Sequence, residues 1–368
     1  MRKMGCLRVA EFVLPGHADK VADAIADRIV AAALASDPLV IAGIEVAVHR
    51  DLTVVTGCVI GAGANRLDLA DLVAQVHADV GAPERASGPG RCQVDAEVRD
   101  LTPREVAARG HVSGDQAIVC GWATSIPGTD GLPVEHAVAR RVAIALWRLR
   151  LARPDLALGP DGKVIVSIRE AESLEAWTLD DVTVSIQHHA GWDAVVSRRA
   201  IAEAVGTALD AAARTIPGLS VPAAARVPRT NPGGEFATGG THGDNGLSGK
   251  KLVVDFYGPR VPIGGGALSG KDFTAVDRAG ALIARDLALE VTSRGGRRTC
   301  EVALSIRPGD EAFRVARLVT DGGDAIDLDE AATLVDLGIG SRLDWPFRHG
   351  PLTEVARWGH FAPLPSFG

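Results

Sequence analysis

Three times along these 368 residues a helical pattern is followed by paired strand-like runs and another helical pattern, and this order limits the fold more than any other feature. The first pass opens with HADKVADAIADRIVAAALAS (17–36). Val21, Ile25, Ile29 and Leu34 recur there near the helical period, while Asp19, Asp23 and Asp27 line a second face at i, i+4 and i+8. LVIAGIEVAVHRDLTVVTGCVI (39–60) reads as two strands joined at His49–Asp51, and 65–80 as a helix. The second pass places strand character in 114–125, 163–170 and 180–188, with helices at 133–152 and 194–215. After a Pro-rich connection (217–234) and a Gly-rich region (233–249), the third predicts a strand at 250–257, a helix from about 274 to 292, strands within 300–319 and a helix at 328–340. With no long linker, the chain is expected to form compact α+β subdomains near 1–112, 113–232 and 233–368, with edges free to intertwine. A doubly wound nucleotide-binding sheet fits poorly, because its Gly-rich turn would follow the first strand directly.

Charge and cysteine usage narrow the function. A net charge of −7 argues against a nucleic-acid partner, whose footprint would be a basic face. No signal-like or membrane-spanning apolar run is evident, and five scattered cysteines without a C-x-x-C pair read as reduced thiols, so the expected location is cytoplasmic. Of 39 basic residues only six are lysine: Lys3, Lys20, Lys163, Lys250, Lys251 and Lys271. Five of these sit beside Gly/Asp-rich turns. A compact ammonium serves phosphate oxygens as a point charge where a guanidinium fork needs different room.

Four segments gather groups suited to a polyphosphate and its metal. GHADK (16–20) sets His17, Asp19 and Lys20 at a helix N-terminus, which favours anions; it also reads as a plain capping segment. PDGKV (160–164) offers Asp161 and Lys163 in what is otherwise a common turn. GGTHGDNGLSGKK (239–251) places Asp244 among glycines ahead of paired lysines. GGGALSGKDFTAVDR (264–278) contains G-x-x-x-x-G-K from Gly265 to Lys271, but Asp272 stands where a P-loop needs Ser or Thr. Asp277, near the start of the following helix, reads either as a metal ligand or as the partner of Thr274 in a capping box.

Taken together, these motifs resemble the S-adenosylmethionine synthetase (methionine adenosyltransferase) family. GHADKVADAIAD is similar to its GHPDK-type signature, GDQAIVCGWAT to its GAGDQG segment, and GGTHGDNGLSGKKLVVDFYG with GGGALSGKDFTAVDR to its long C-terminal signature. SIQHH (185–189) and WGHFA (358–362) are weaker counterparts. The resemblance spans about Glu11 to Phe361 and implies three pseudo-symmetric βαβ-type subdomains. It also implies a homodimer or homotetramer with sites between subunits. The implied reaction joins ATP and methionine by attack of sulfur on C5′, with triphosphate released and then hydrolysed. Position by position, it implies His17 at the leaving group, Mg2+ on Asp19 and Asp277, and K+ on Glu45. Lys163, Lys250, Lys251 and Lys271 would grip triphosphate, with Glu11, Asp161, Phe236, Asp244 and Ala267 around the nucleotide and Asp115 at the acceptor.

The sequence departs from the family pattern where the acceptor would bind. Cys58 stands in place of a glutamate for the amino group, and Ala275 in place of a lysine near the carboxylate; Lys250 replaces an arginine. Losing a charge-assisted contact costs about 1.5–3 kcal/mol. Arg278 and Arg99 are the candidates to replace the carboxylate contact. The readings left open are methionine held by a rewired site, a different acceptor, or a non-catalytic ATP-binding paralogue.

Overall fold

The structure, a computed structural model, describes residues 6–81, 91–102, 105, 112–173, 175–321 and 326–367. In chain order its main elements are β1 (Cys6–Val13), α1 (Ala18–Ser36), β2 (Ile41–His49), β3 (Leu52–Ile60), α2 (Leu69–Val80) and β4 (Arg91–Arg99). There follow β5 (Ala117–Thr124), α3 (Val134–Ala152), β6 (Leu158–Glu170), β7 (Trp177–His188) and α4 (Ala194–Thr215). The last are α5 (Val276–Ser293), β8 (Thr299–Ile306) and β9 (Arg314–Thr320).

These elements form three sheets, each packed on helices, as the repeated order predicts. α1 and α2 cover β2–β3–β4, with Ile25, Ile29, Val46, Val55 and Val76 buried between them. α3 and α4 cover β1–β6–β7 through Val138, Leu146, Val164 and Ile201. α5 covers β5–β8–β9 through Leu287, Ala288 and Val302. Each large side chain so buried contributes about 1.5–3 kcal/mol.

The sheets are interlaced. β1 pairs antiparallel with β6, Val13 opposite Lys163, and the short strand Gly246–Leu247 lies along β2. β5 pairs with β8 rather than with any strand near it in sequence. This interlacing carries the four motifs towards one another.

Some local expectations are corrected. β1 was not foreseen: CLRVAEFV turns Ala10 and Phe12 inward, while Leu7 and Val9 stay exposed on the other face, so no apolar run marks it. The expected strand at 250–257 is instead a helical turn, Leu252–Asp255. Four apolar or acidic residues carry no period that separates the two forms. The helix expected over 328–340 stops at Ala331. Thr274 begins no capping box. The N-cap of α5 is Ala275, and Asp272 accepts the backbone N–H groups of Thr274 (2.7 Å) and Ala275 (3.0 Å) instead. Residues 95–99 form the end of β4, parallel to β3; beyond them, 103–104 and 106–111 lie outside the described residues.

Candidate active site

α1 organises the site, and its aspartate stripe does so by binding backbone. Asp19 accepts the N–H of Leu247 at 3.0 Å, Asp23 that of Gly249 at 2.8 Å and Asp27 that of Gly270 at 3.0 Å. One helical face therefore fixes both Gly-rich loops, because residues four apart stand one above another. The outer edge of β2 completes the hold. Ile44 N–H donates to Gly270 at 2.8 Å, and Ser248 N–H donates to Val46 at 2.9 Å.

His17 is the N-cap of α1, and its Nδ1 accepts the Asp19 N–H at 3.2 Å. That bond leaves the ring proton on Nε2 as a donor. Burial, reinforced by the Lys251 ammonium, lowers the imidazole to about 4, so it is neutral near pH 7. The Lys163 charge also acts on this ring, and β1 explains why: Gly16 N–H donates to Pro160 at 3.0 Å, closing the 160–163 turn against the start of α1. A Cβ on Gly16 would stand 2.5 Å from Pro160, so the approach requires glycine.

Asp161 joins this turn to the third motif by accepting the Gly240 N–H at 2.7 Å. Burial raises its carboxyl, and its other oxygen, Oδ1, is buried without a partner in the structure. Such a group is waiting for a donor. Lys251 meets Asp19 at 2.8 Å and Lys250 lies 3.8 Å from it, while Asp244 is exposed nearby. Burial pushes Asp19 upward, but Lys251 and the Leu247 N–H more than reverse this, leaving it below its usual value. Phe236 is held through its backbone, its N–H donating to His188 Nε2 at 3.1 Å and its carbonyl accepting the His188 N–H at 3.0 Å.

The fourth motif lies further along β2. Lys271 pairs with Asp277, and the backbone of Gly266 passes so close to Asp277 that an added Cβ would be 2.1 Å from its carboxyl carbon. Ala267 touches Gly249, so the third and fourth loops meet. Glu45 receives the Ser248 hydroxyl at 2.5 Å, and Glu11 is half-buried on β1 opposite Ile165. Cys58, Asp115 and Ala275 line one cavity of about 410 Å³ together with Gly43, Glu105 and Asp272. Burial raises the Cys58 thiol.

Two sequence expectations fail here. Lys20 faces no ligand: it is fully buried between Asp23 (3.1 Å) and Asp255. Arg278 is equally buried, bidentate to Asp27 at 2.8 and 3.0 Å and donating to the Lys271 carbonyl, so it cannot bind the acceptor. Sequence reading also missed Gln187, which accepts the Asp161 N–H at 3.3 Å, and the role of His188; SIQHH was the signal for both.

Family models for the N-terminal, central and C-terminal domains of S-adenosylmethionine synthetase match residues 6–100, 111–218 and 238–335. The chain belongs to the S-adenosylmethionine synthetase family. S-adenosylmethionine synthase 1 of Rhodospirillum rubrum is 32% identical over 96% of this chain and 92% of its own. S-adenosylmethionine synthases of a Synechococcus strain and of Paramagnetospirillum magneticum are 33% and 32% identical, over 96% and 99% of this chain. The resemblance read from the motifs is confirmed over nearly the whole length. S-adenosylmethionine synthetases act on ATP and methionine with divalent and monovalent metal ions. Among the described residues, no helix is long and apolar enough to cross a membrane.

Proposed function

We infer that this chain is a methionine adenosyltransferase, making S-adenosylmethionine from ATP and methionine. Matches along nearly the whole chain favour this over a changed acceptor or a silent paralogue. The observation that carries the assignment of residues is the convergence of three distant motifs on His17, with the Lys163 and Lys251 charges acting on its ring.

Methionine's sulfur attacks C5′ of ATP with its own lone pair, and the C5′–O bond breaks as intact triphosphate departs. A thioether has no proton to lose, so no general base is needed at this step. The barrier lies in the charge developing on the leaving group. Neutral His17 donates Nε2–H to the bridging oxygen, while Lys163, Lys250, Lys251 and Lys271 hold the remaining oxygens. A preorganised donor of this kind is worth roughly 3–4 kcal/mol. Asp161 and Phe236 bound the adenosine, with the free Oδ1 of Asp161 accepting from it, and Glu11, Asp244 and Ala267 lie around the nucleotide. Water then splits the retained triphosphate into phosphate and diphosphate.

Asp19 and Asp277 fit Mg2+, since each presents carboxylate oxygen beside a lysine that would otherwise meet phosphate. Among the described residues no three His, Cys, Asp or Glu side chains gather to hold a metal ion, so phosphate and water would have to complete its shell. Bound there, Mg2+ would neutralise charge on the triphosphate. Glu45 and Ser248 supply oxygens suited to K+. Exposed Leu7, Val9 and Ile165 on the uncovered face of β1–β6 support a homodimer or homotetramer with shared sites, and the free cysteines suit the cytoplasm.

Incubation with ATP, Mg2+ and K+, with and without methionine, tests this by mass spectrometry. S-adenosylmethionine should appear with methionine only, in equal amount to the phosphate and diphosphate released. Triphosphate cleavage without an adenosyl sulfonium product would refute it.

A further inference from the structure

The acceptor cavity lacks the two charges that the family pattern places there, yet on its wall stands a carboxylate, Glu105, that is paired with an arginine. Arg99, the last residue of β4, donates from Nη2 and Nη1 to the two oxygens of Glu105, at 2.7 and 2.9 Å, and from Nε to Glu97 at 2.6 Å. Glu105 itself lines the cavity with Gly43, Cys58, Asp115, Thr274 and Ala275. The strand register explains this placement. Gly43, Cys58 and Glu97 form one cross-strand row, while Ile60 and Arg99 belong to the next outward-facing row. The carboxylate missing at Cys58 therefore has replacements one strand away. Glu105 is held in orientation by the N–H of Thr102 at 2.8 Å and its hydroxyl at 2.7 Å.

We propose that the Arg99–Glu105 pair is the zwitterion grip of this protein, opening to accept methionine so that Glu105 takes the α-ammonium and Arg99 the α-carboxylate. The proposal rests on methionine being the acceptor. Its electrostatic logic is exchange: a positive–negative pair admits a negative–positive ligand, so the cavity stays balanced whether empty or filled. An arginine fork suits a planar carboxylate, and Arg99 already holds that of Glu105 at 2.7 and 2.9 Å. Of the two other carboxylates on this wall, Asp272 is committed to backbone N–H groups, while Asp115 accepts the Gln116 N–H at 2.7 Å. Arg278 is locked to Asp27.

The test compares steady-state kinetics of wild type, Arg99→Met, Arg99→Lys and Glu105→Gln on methionine, on methylthiopropylamine, which lacks the carboxylate, and on 4-(methylthio)butanoate, which lacks the ammonium. Arg99→Met should raise the methionine KM by about 30-fold or more while changing that of methylthiopropylamine less than about threefold. Glu105→Gln should show the reverse discrimination, sparing 4-(methylthio)butanoate. Arg99→Lys should recover part of the loss, which also separates lost charge from misfolding. If the variants shift all three acceptors equally, or none, the pair only ties Glu105 to the end of β4 and the proposal is overturned. Absence of methionine turnover in the wild type would instead refute the assigned reaction.

Discussion

The phosphate side and the acceptor side of this site are built in different ways. Around α1, each Gly-rich loop is tied down by a buried carboxylate, and the lysines emerge from backbone that has no freedom to move. Around the 410 Å³ cavity, apolar and small residues predominate, and Glu105 on its wall is paired with Arg99 at the end of β4. The contrast teaches where sequence change is tolerated. The two phosphate loops are fixed together by three hydrogen bonds to one helix, so their residues cannot drift singly. An acceptor contact is one side chain on one strand, and a neighbouring strand can supply its charge.

The comparison breaks most visibly if the fixed side is not fixed. Arg278→Ala leaves Asp27 buried without its guanidinium and should destabilise the fold by about 3–5 kcal/mol in chemical denaturation. Burial alone would raise Asp27, and Arg278 more than reverses this to about 2, so the pair is ionised at all ordinary pH. A loss under about 1 kcal/mol would mean that the loops are held some other way.

Acidification is expected to have a smaller effect. His17 titrates near 4 in the folded chain and at 6.5 when unfolded, so the unfolded state binds more protons between these values. Stability should therefore be unaffected by this group above pH 6.5 and fall as pH drops towards 4, by roughly 3 kcal/mol in all. His17→Asn keeps an N-cap without the titration and should flatten that part of the profile when thermal unfolding is followed against pH. An unchanged profile would mean that His17 is not neutral in the fold.

The smallest effect sharpens the acceptor side. Glu97 and Asp272 already act on the Cys58 thiol, so Cys58→Glu, although it restores the family's residue, adds a like charge to an occupied neighbourhood. The methionine KM should rise by about 3- to 10-fold rather than fall. A fall would show that the original contact still fits and that the site was never rewired.

Much of this was legible in the sequence. Helical period and turn chemistry gave α1, the β2–β3 hairpin and α4–α5 nearly to the residue, and the scarcity of lysine drew attention to Lys163, Lys251 and Lys271. What could not be read was partnership. Asp19, Asp23 and Asp27 are one pattern along a helix, yet nothing in their spacing says that backbone amides more than two hundred residues away will meet them. Lys20 looked like a phosphate ligand because it sits in GHADK, and only the fold shows Asp255 closing over it. Arg99 and Arg278 are the same residue type in similar polar stretches. One meets the part-exposed carboxylates of Glu97 and Glu105 and the other the buried carboxylate of Asp27, a difference set by tertiary packing.

The most direct test of two separately built halves is a kinetic comparison of Lys271→Ala with Glu105→Gln, measuring kcat and the methionine KM at saturating ATP. Lys271→Ala should lower kcat about 100-fold or more with the methionine KM little changed, because it removes stabilisation of the departing triphosphate. Glu105→Gln should raise the methionine KM while kcat at saturation is largely kept. If both variants alter the same parameter in the same direction, the two halves are not distinct and the account is wrong.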